Sequence, residues 1–143
     1  MKPIKQIIIG SRAFFSGMKG YKPKDRDELC IMDSWFPKKT NVLNMKINGK
    51  DVFFFKNMTK EEFIQDVRDS GVSMRAGKFL VPEFAEFIGL TIEDLKSMSD
   101  LFRHFDLFHQ YEEIIYDFYI ENNGFFLTDE QREIAYNKYR EYR

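Results

Sequence analysis

The sequence predicts an α+β fold, a small mixed β-sheet in residues 1–57 joined to a helical part in residues 58–143, all within a single domain. Three observations predict it. The first part is built of short apolar runs broken by Gly, Pro, Lys and Asn. Asn48-Gly49 stands between two strand-like runs, as in a hairpin. From Thr59 onward, apolar residues recur at helical spacing between capping signals.

Ile7-Ile8-Ile9 is β-branched and continuously apolar, which suits a buried strand. Gly10-Ser11 ends it. Arg12 to Met18 makes one or two helical turns, closed near Gly17 or Gly20. Tyr21 to Lys24 is a loop holding Pro23, and Leu29-Cys30-Ile31-Met32 is a second apolar strand. Val42 to Ile47 and Asp51 to Phe55 form the hairpin, because Asn48 and Gly49 both tolerate positive φ.

In the helical part, Thr59 with Glu62, Thr91 with Asp94 and Thr128 with Gln131 place a hydroxyl three residues before a polar side chain, the spacing of a capping box. The first helix runs from Lys60 to about Ser70 and stops at Gly71. A short one starts with Pro82 in its first turn and stops near Gly89. Ile92, Leu95, Met98, Leu101 and Phe102 give the apolar face of one further helix. Tyr111, Ile114, Ile115, Phe118 and Tyr119 give another, ending at Asn122-Asn123-Gly124, and a last helix starts at Asp129.

A chain of 143 residues suits one ordinary domain. Aromatics at 17% supply large buried areas for its core. The net charge of −1 exerts no bulk pull on DNA, RNA or anionic lipid, so any nucleic-acid contact needs a local patch. Cys30 is the single cysteine and has no partner for an intrachain disulfide, which fits a reducing compartment. No apolar run has the length of a signal-peptide core or a membrane span, so the expected location is cytoplasmic, with no membrane partner.

The residues with chemical potential cluster early. A glycine at a strand end lets a phosphate approach the backbone, and Ser11 adds a hydroxyl donor. A helix beginning there would add free N–H groups and a positive dipole end. Asp25 and Asp27 are two apart; in an extended chain both project from one face, roughly 6.6 Å apart. Paired carboxylates of this kind suit Mg²⁺, a hard ion that commonly shares its oxygen ligands with substrate phosphates. Asp51 is the available third carboxylate, with a water-facing hairpin position as the alternative.

The stretch Ile9-Gly10-Ser11, then Asp25-Arg26-Asp27, resembles the Gly-Ser…Asp-x-Asp/Glu signature of the nucleotidyltransferase (polymerase-β-like) superfamily, and Arg12-Ala13 adds to the likeness with the small Gly-Ser-Arg-Ala type. The resemblance covers roughly residues 5–55 and implies a nucleotidyltransferase-like sheet core. It implies nucleotide binding by Gly10, Ser11 and Arg12, Mg²⁺ (magnesium) binding by Asp25 and Asp27, and Asp51 as the catalytic carboxylate that activates an acceptor hydroxyl. The implied activity moves a nucleoside monophosphate from a nucleoside triphosphate such as ATP to that hydroxyl. The acceptor is a nucleic acid, a protein or a small molecule, and a partner subunit or homo-oligomer is compatible with the family. Arg26 and Glu28 stand where the family has apolar residues, and Phe15 where a glycine is common. These departures support an alternative, a catalytically inactive nucleotidyltransferase-fold protein acting as a binding or interaction module.

Other residues read as structural. His104 and His109 would lie about 140° apart on one helix and share no metal. The aromatic run from Phe102 to Phe126 suits a core face. Trp35-Phe36-Pro37-Lys38-Lys39 reads as a hydrophobic anchor with a basic tip, and Met74-Arg75-Ala76-Gly77-Lys78 is a small basic segment.

Overall fold

Strand propensity and turn chemistry act together in the first part of the chain. A computed structural model describes residues 3–23, 26–69, 76–104 and 107–142. Four strands, β1 (Lys5–Ile9), β2 (Arg26–Met32), β3 (Val42–Ile47) and β4 (Lys50–Lys56), form one sheet in the order β1-β2-β4-β3. The β1–β2 and β3–β4 pairs are antiparallel and the β2–β4 pair is parallel, so the sheet is mixed. At the hairpin tip Asn48 has φ 51° and Gly49 φ 77°, the two positive values that match the turn to the twist of its strands.

Period-two alternation sorts the side chains. Ile7, Ile9, Leu29, Ile31, Val42, Phe53 and Phe55 share one face and all are buried. Helix α1 (Ser11–Phe15) adds buried Phe14 and Phe15, and α2 (Lys60–Arg68) adds buried Phe63 and Val67. Phe63 meets Phe55 edge-on at 6.4 Å, which places α2 on this face. The reciprocal Thr59–Glu62 capping box starts α2 as expected, and Asn41 Nδ2 donates to Asp66 Oδ1 at 2.7 Å. The expected stop of this helix, Ser70-Gly71, lies outside the described residues.

The opposite face holds a smaller cluster, Cys30, Met32 and Val52, with Trp35 and Phe54 packed against it. Trp35 Nε1 donates to the Thr40 carbonyl at 2.8 Å, so Trp35 anchors its loop while the adjacent Phe36 stays 76% exposed. Burial, and then Glu28, push the Cys30 thiol up, which keeps it protonated and a poor nucleophile.

The chain divides into two compact units, Met1–Met74 and Arg75–Arg143, so α2 belongs with the sheet. The second unit contains a 3₁₀ turn (Ala76–Phe79), α3 (Pro82–Ile88), α4 (Ile92–Ser97), α5 (Ser99–His104), α6 (Gln110–Asn122) and α7 (Asp129–Tyr142). Gly89 at φ 80° and Asn123 at φ 53° close α3 and α6 in the left-handed conformation. Thr91–Asp94 and Thr128–Gln131 make their reciprocal caps.

The periodic run from Ile92 to Phe102 is two helices rather than one. Ser97 Oγ donates to the Asp94 carbonyl at 2.7 Å, and the Met98 N–H closes on Leu95 at 3.1 Å, a tighter turn that breaks the α ladder. The apolar stripe survives the break: Ile92, Leu95, Met98 and Phe102 are all buried. On α6 the buried residues are Tyr111, Glu112, Ile115, Tyr116 and Tyr119, a stripe rotated away from Ile114 and Phe118. Phe102, Phe108 and Tyr116 form a ring cluster with centroids 4.7 to 5.4 Å apart. His104 ends α5 and His109 caps α6, so the two histidines are not on one helix. Of the basic segment around residue 76, Met74 and Arg75 lie outside the described residues. Among the described residues no helix is long and apolar enough to cross a membrane.

Two measurements probe this helical core. Glu112 is only 2% exposed, and its Oε1 accepts from the His109 N–H at 3.0 Å. A Cβ at Gly77 would collide with Glu112 Oε2 and lie 2.6 Å from Phe108 Cδ1. Gly77→Ala is therefore expected to cost about 1–3 kcal/mol through overpacking, read as a lower urea midpoint. The Tyr116 hydroxyl donates to the Leu95 carbonyl, and burial pushes its pKa up to about 12; burial drives Tyr119 further up. An unfolded tyrosine ionises near ~10, so between those values the native state holds protons that the unfolded state has lost. The tyrosine contribution to stability is expected to be constant below about pH 10 and to fall as pH rises toward 12. Urea midpoints taken across that interval, with tyrosinate absorbance, check the sign.

Candidate functional site

The site is built by strand register. Ile9, the last residue of β1, pairs with Asp27 on β2. Asp27 pairs with Asp51 on β4, and Asp51 pairs with Lys46 on β3. Cross-strand partners share a face, so Ile9, Asp27, Asp51 and Lys46 form one row across the sheet. Neighbouring strands lie about 4.8 Å apart, which sets the two carboxylates side by side. The row borders the buried face, where apolar side chains give way to charged ones. Asp51, whose alternative was a water-facing hairpin position, is half-buried beside Asp27.

Gly10 closes β1 at φ 73° and ψ −158°, a conformation essentially restricted to glycine. A Cβ there would lie 2.6 Å from Asp27 Oδ2. The missing side chain thus makes room for the carboxylate, a role additional to exposing backbone to a phosphate. Ser11 Oγ and the Tyr21 hydroxyl share a hydrogen bond at 2.9 Å, and the Tyr21 ring meets Phe15 edge-on at 6.2 Å. With its position held this way, Ser11 keeps further hydrogen-bonding capacity for a ligand. The Ala13 N–H closes on the Gly10 carbonyl at 3.0 Å, so the backbone donors at the turn are Ser11 and Arg12. Helix α1 has only 5 residues, and its dipole adds little.

Asp25 lies outside the described residues. Arg26 and Glu28 alternate with Asp27 and pair with Lys50 and Val52 on the opposite face, leaving the carboxylate row clear. Sequence reasoning missed two residues, Tyr21 and Lys46. Lys46 was recoverable, because a two-residue Asn-Gly turn pairs Ile47 with Lys50 and hence Lys46 with Asp51. Tyr21 had no such signal, since its contact with Ser11 spans a loop.

Two carboxylates on adjacent strands, next to a glycine with no side chain, offer the hard oxygen donors that Mg²⁺ prefers. Among the described residues no cluster of three or more His, Cys, Asp or Glu side chains has metal-binding geometry; Asp27 and Asp51 are a pair. The helical unit has a separate open cavity of about 370 Å³, lined by Lys96, Arg103, Tyr116 and Asp117 among others. There Arg103 is held by Glu113 and Asp117, each at 2.6 Å, so its charge is already matched. No family model matches the chain, and no curated protein or solved structure is significantly similar to it.

Proposed function

We propose that the chain is a metal-dependent nucleotidyltransferase that moves a nucleoside monophosphate from a nucleoside triphosphate to an acceptor hydroxyl. The observation that carries this reading is the in-register Asp27–Asp51 pair, with the Asp27 carboxylate packed against Gly10. The backbone at Gly10 and Ser11, the Ser11 hydroxyl and Arg12 take the phosphates. Asp27 and Asp51, with Asp25, would hold Mg²⁺, which when bound would neutralise charge on the triphosphate. Asp51 accepts the proton of the acceptor hydroxyl. The acceptor oxygen bonds to the α-phosphorus as the bond to the β-phosphate oxygen breaks, and pyrophosphate leaves. Positioning, and the cations Arg12 and Lys46 around the phosphates, supply most of the rate. Arg26 and Glu28, which favoured an inactive binding module, face away from the row, so the catalytic reading is preferred. A cytoplasmic setting fits the single buried cysteine.

The test is a thermal-shift screen of the four ribonucleoside triphosphates with Mg²⁺, paired with pyrophosphate release. Ligand at about 100 times its Kd adds roughly 2.7 kcal/mol of stability. One triphosphate is expected to raise Tm in the native chain and not in Asp25→Ala/Asp27→Ala. No shift with any of them overturns the proposal.

A further inference from the structure

The net charge of −1 conceals a cancellation. Residues 1–60 hold 13 Lys and Arg against 5 Asp and Glu, and the rest of the chain holds 9 against 18. Three of those five early acids are Asp25, Asp27 and Asp51. Three more acids, Glu61, Glu62 and Asp66, follow on α2, which packs on the buried face of the sheet and where Glu62 feels the charge of Lys56.

Part of the positive charge lies on the face of the sheet opposite the carboxylate row. Arg26 and Lys50 are register partners there, and Lys56 follows on the same face of β4. Six rises along the strand carry Lys50 to Lys56, roughly 20 Å. Between them the face is apolar: Phe54 is half-buried, and Ile8, Leu43, Met45 and Ile47 are exposed. Trp35 packs onto this face and presents exposed Phe36, Lys38 and Lys39 beside it. Glu28 is the one carboxylate among the described strand residues of this face.

We infer that this open face binds single-stranded nucleic acid. Arg26, Lys50, Lys56, Lys38 and Lys39 meet phosphates, while Phe36, Phe54 and the aliphatic side chains take unstacked bases. A duplex hides its bases and gains nothing from the apolar part. A second copy placed face to face would set these cations against their own kind. The inference stands on charge and exposure and does not depend on catalysis.

Fluorescence anisotropy of the full chain with labelled twelve-nucleotide oligo(U) and oligo(dT) tests it. Binding is expected at about 50 mM salt and should weaken roughly twentyfold by about 200 mM, the effect of about three phosphate contacts on a single strand. Arg26→Gln/Lys50→Gln/Lys56→Gln should lose at least about tenfold in affinity, and Phe36→Ala about fivefold, both with unchanged Tm. Lys96→Gln/Lys138→Gln, in the helical unit, should bind like the native chain. The inference is overturned by no binding at low salt, by an equal loss in the Lys96/Lys138 pair, or by equal affinity for a duplex or for anionic phospholipid vesicles. A concentration-dependent dimer that Met45→Lys dissociates would also overturn it, by naming a second copy as the occupant.

Discussion

Asp27→Asn is expected to lower the rate of nucleotidyl transfer by roughly 10²–10³-fold or more while leaving Tm nearly unchanged. Asn fills the same volume, so the close fit against Gly10 is preserved and only the charge is lost. That charge is central to the proposed chemistry, since a hard divalent ion prefers anionic oxygen and the triphosphate brings its own negative charge to the row. Asp51→Asn is expected to lower turnover by a similar factor with a smaller loss of nucleotide binding, because Asp51 also acts on the acceptor hydroxyl. Single-turnover transfer of label from the α-phosphate, alongside the nucleotide thermal shift, separates the two variants. Full activity in Asp27→Asn would sink the assignment.

Gly10→Ala should cost about 2–4 kcal/mol of stability. Two penalties combine. The backbone at φ 73° and ψ −158° is strained for any residue with a Cβ, and that Cβ would stand 2.6 Å from Asp27 Oδ2. Relief requires the carboxylate to leave its place beside Asp51, so nucleotide-dependent stabilisation should fall together with Tm. Gly17→Ala is the control. Gly17 also has positive φ, at 87°, but a Cβ there meets nothing within 4 Å. It should cost only about 1 kcal/mol and leave nucleotide binding intact. Urea unfolding of both variants, with and without nucleotide, separates backbone strain from displacement of Asp27.

Elements governed by short-range physics are legible in the sequence alone. The Asn48-Gly49 hairpin, the Thr59 and Thr128 caps and the Gly89 stop each depend on residues within a few positions of one another. Where periodicity misleads, a local competitor intervenes. Ser97 bonding back to Asp94 splits a helix that apolar periodicity alone would have continued. Likewise the buried stripe of α6 includes Glu112, which packs against Gly77, in place of Phe118, a choice that hydropathy alone does not make.

The candidate site divides in the same way. By itself the sequence determined that a glycine, a serine and acidic residues follow one another around two strands, and that the net charge is close to zero. It also determined the hairpin register, and with it the Lys46–Asp51 pairing. Tertiary structure decided the rest. Only the parallel pairing of β2 with β4 brings Asp27 beside Asp51, since non-local strand order is set by how both sheet faces bury their side chains. The same pairing turned Arg26 and Glu28 away from the carboxylates. It also gathered Arg26 and Lys50 on the opposite face of the sheet, which the overall charge of the chain had hidden.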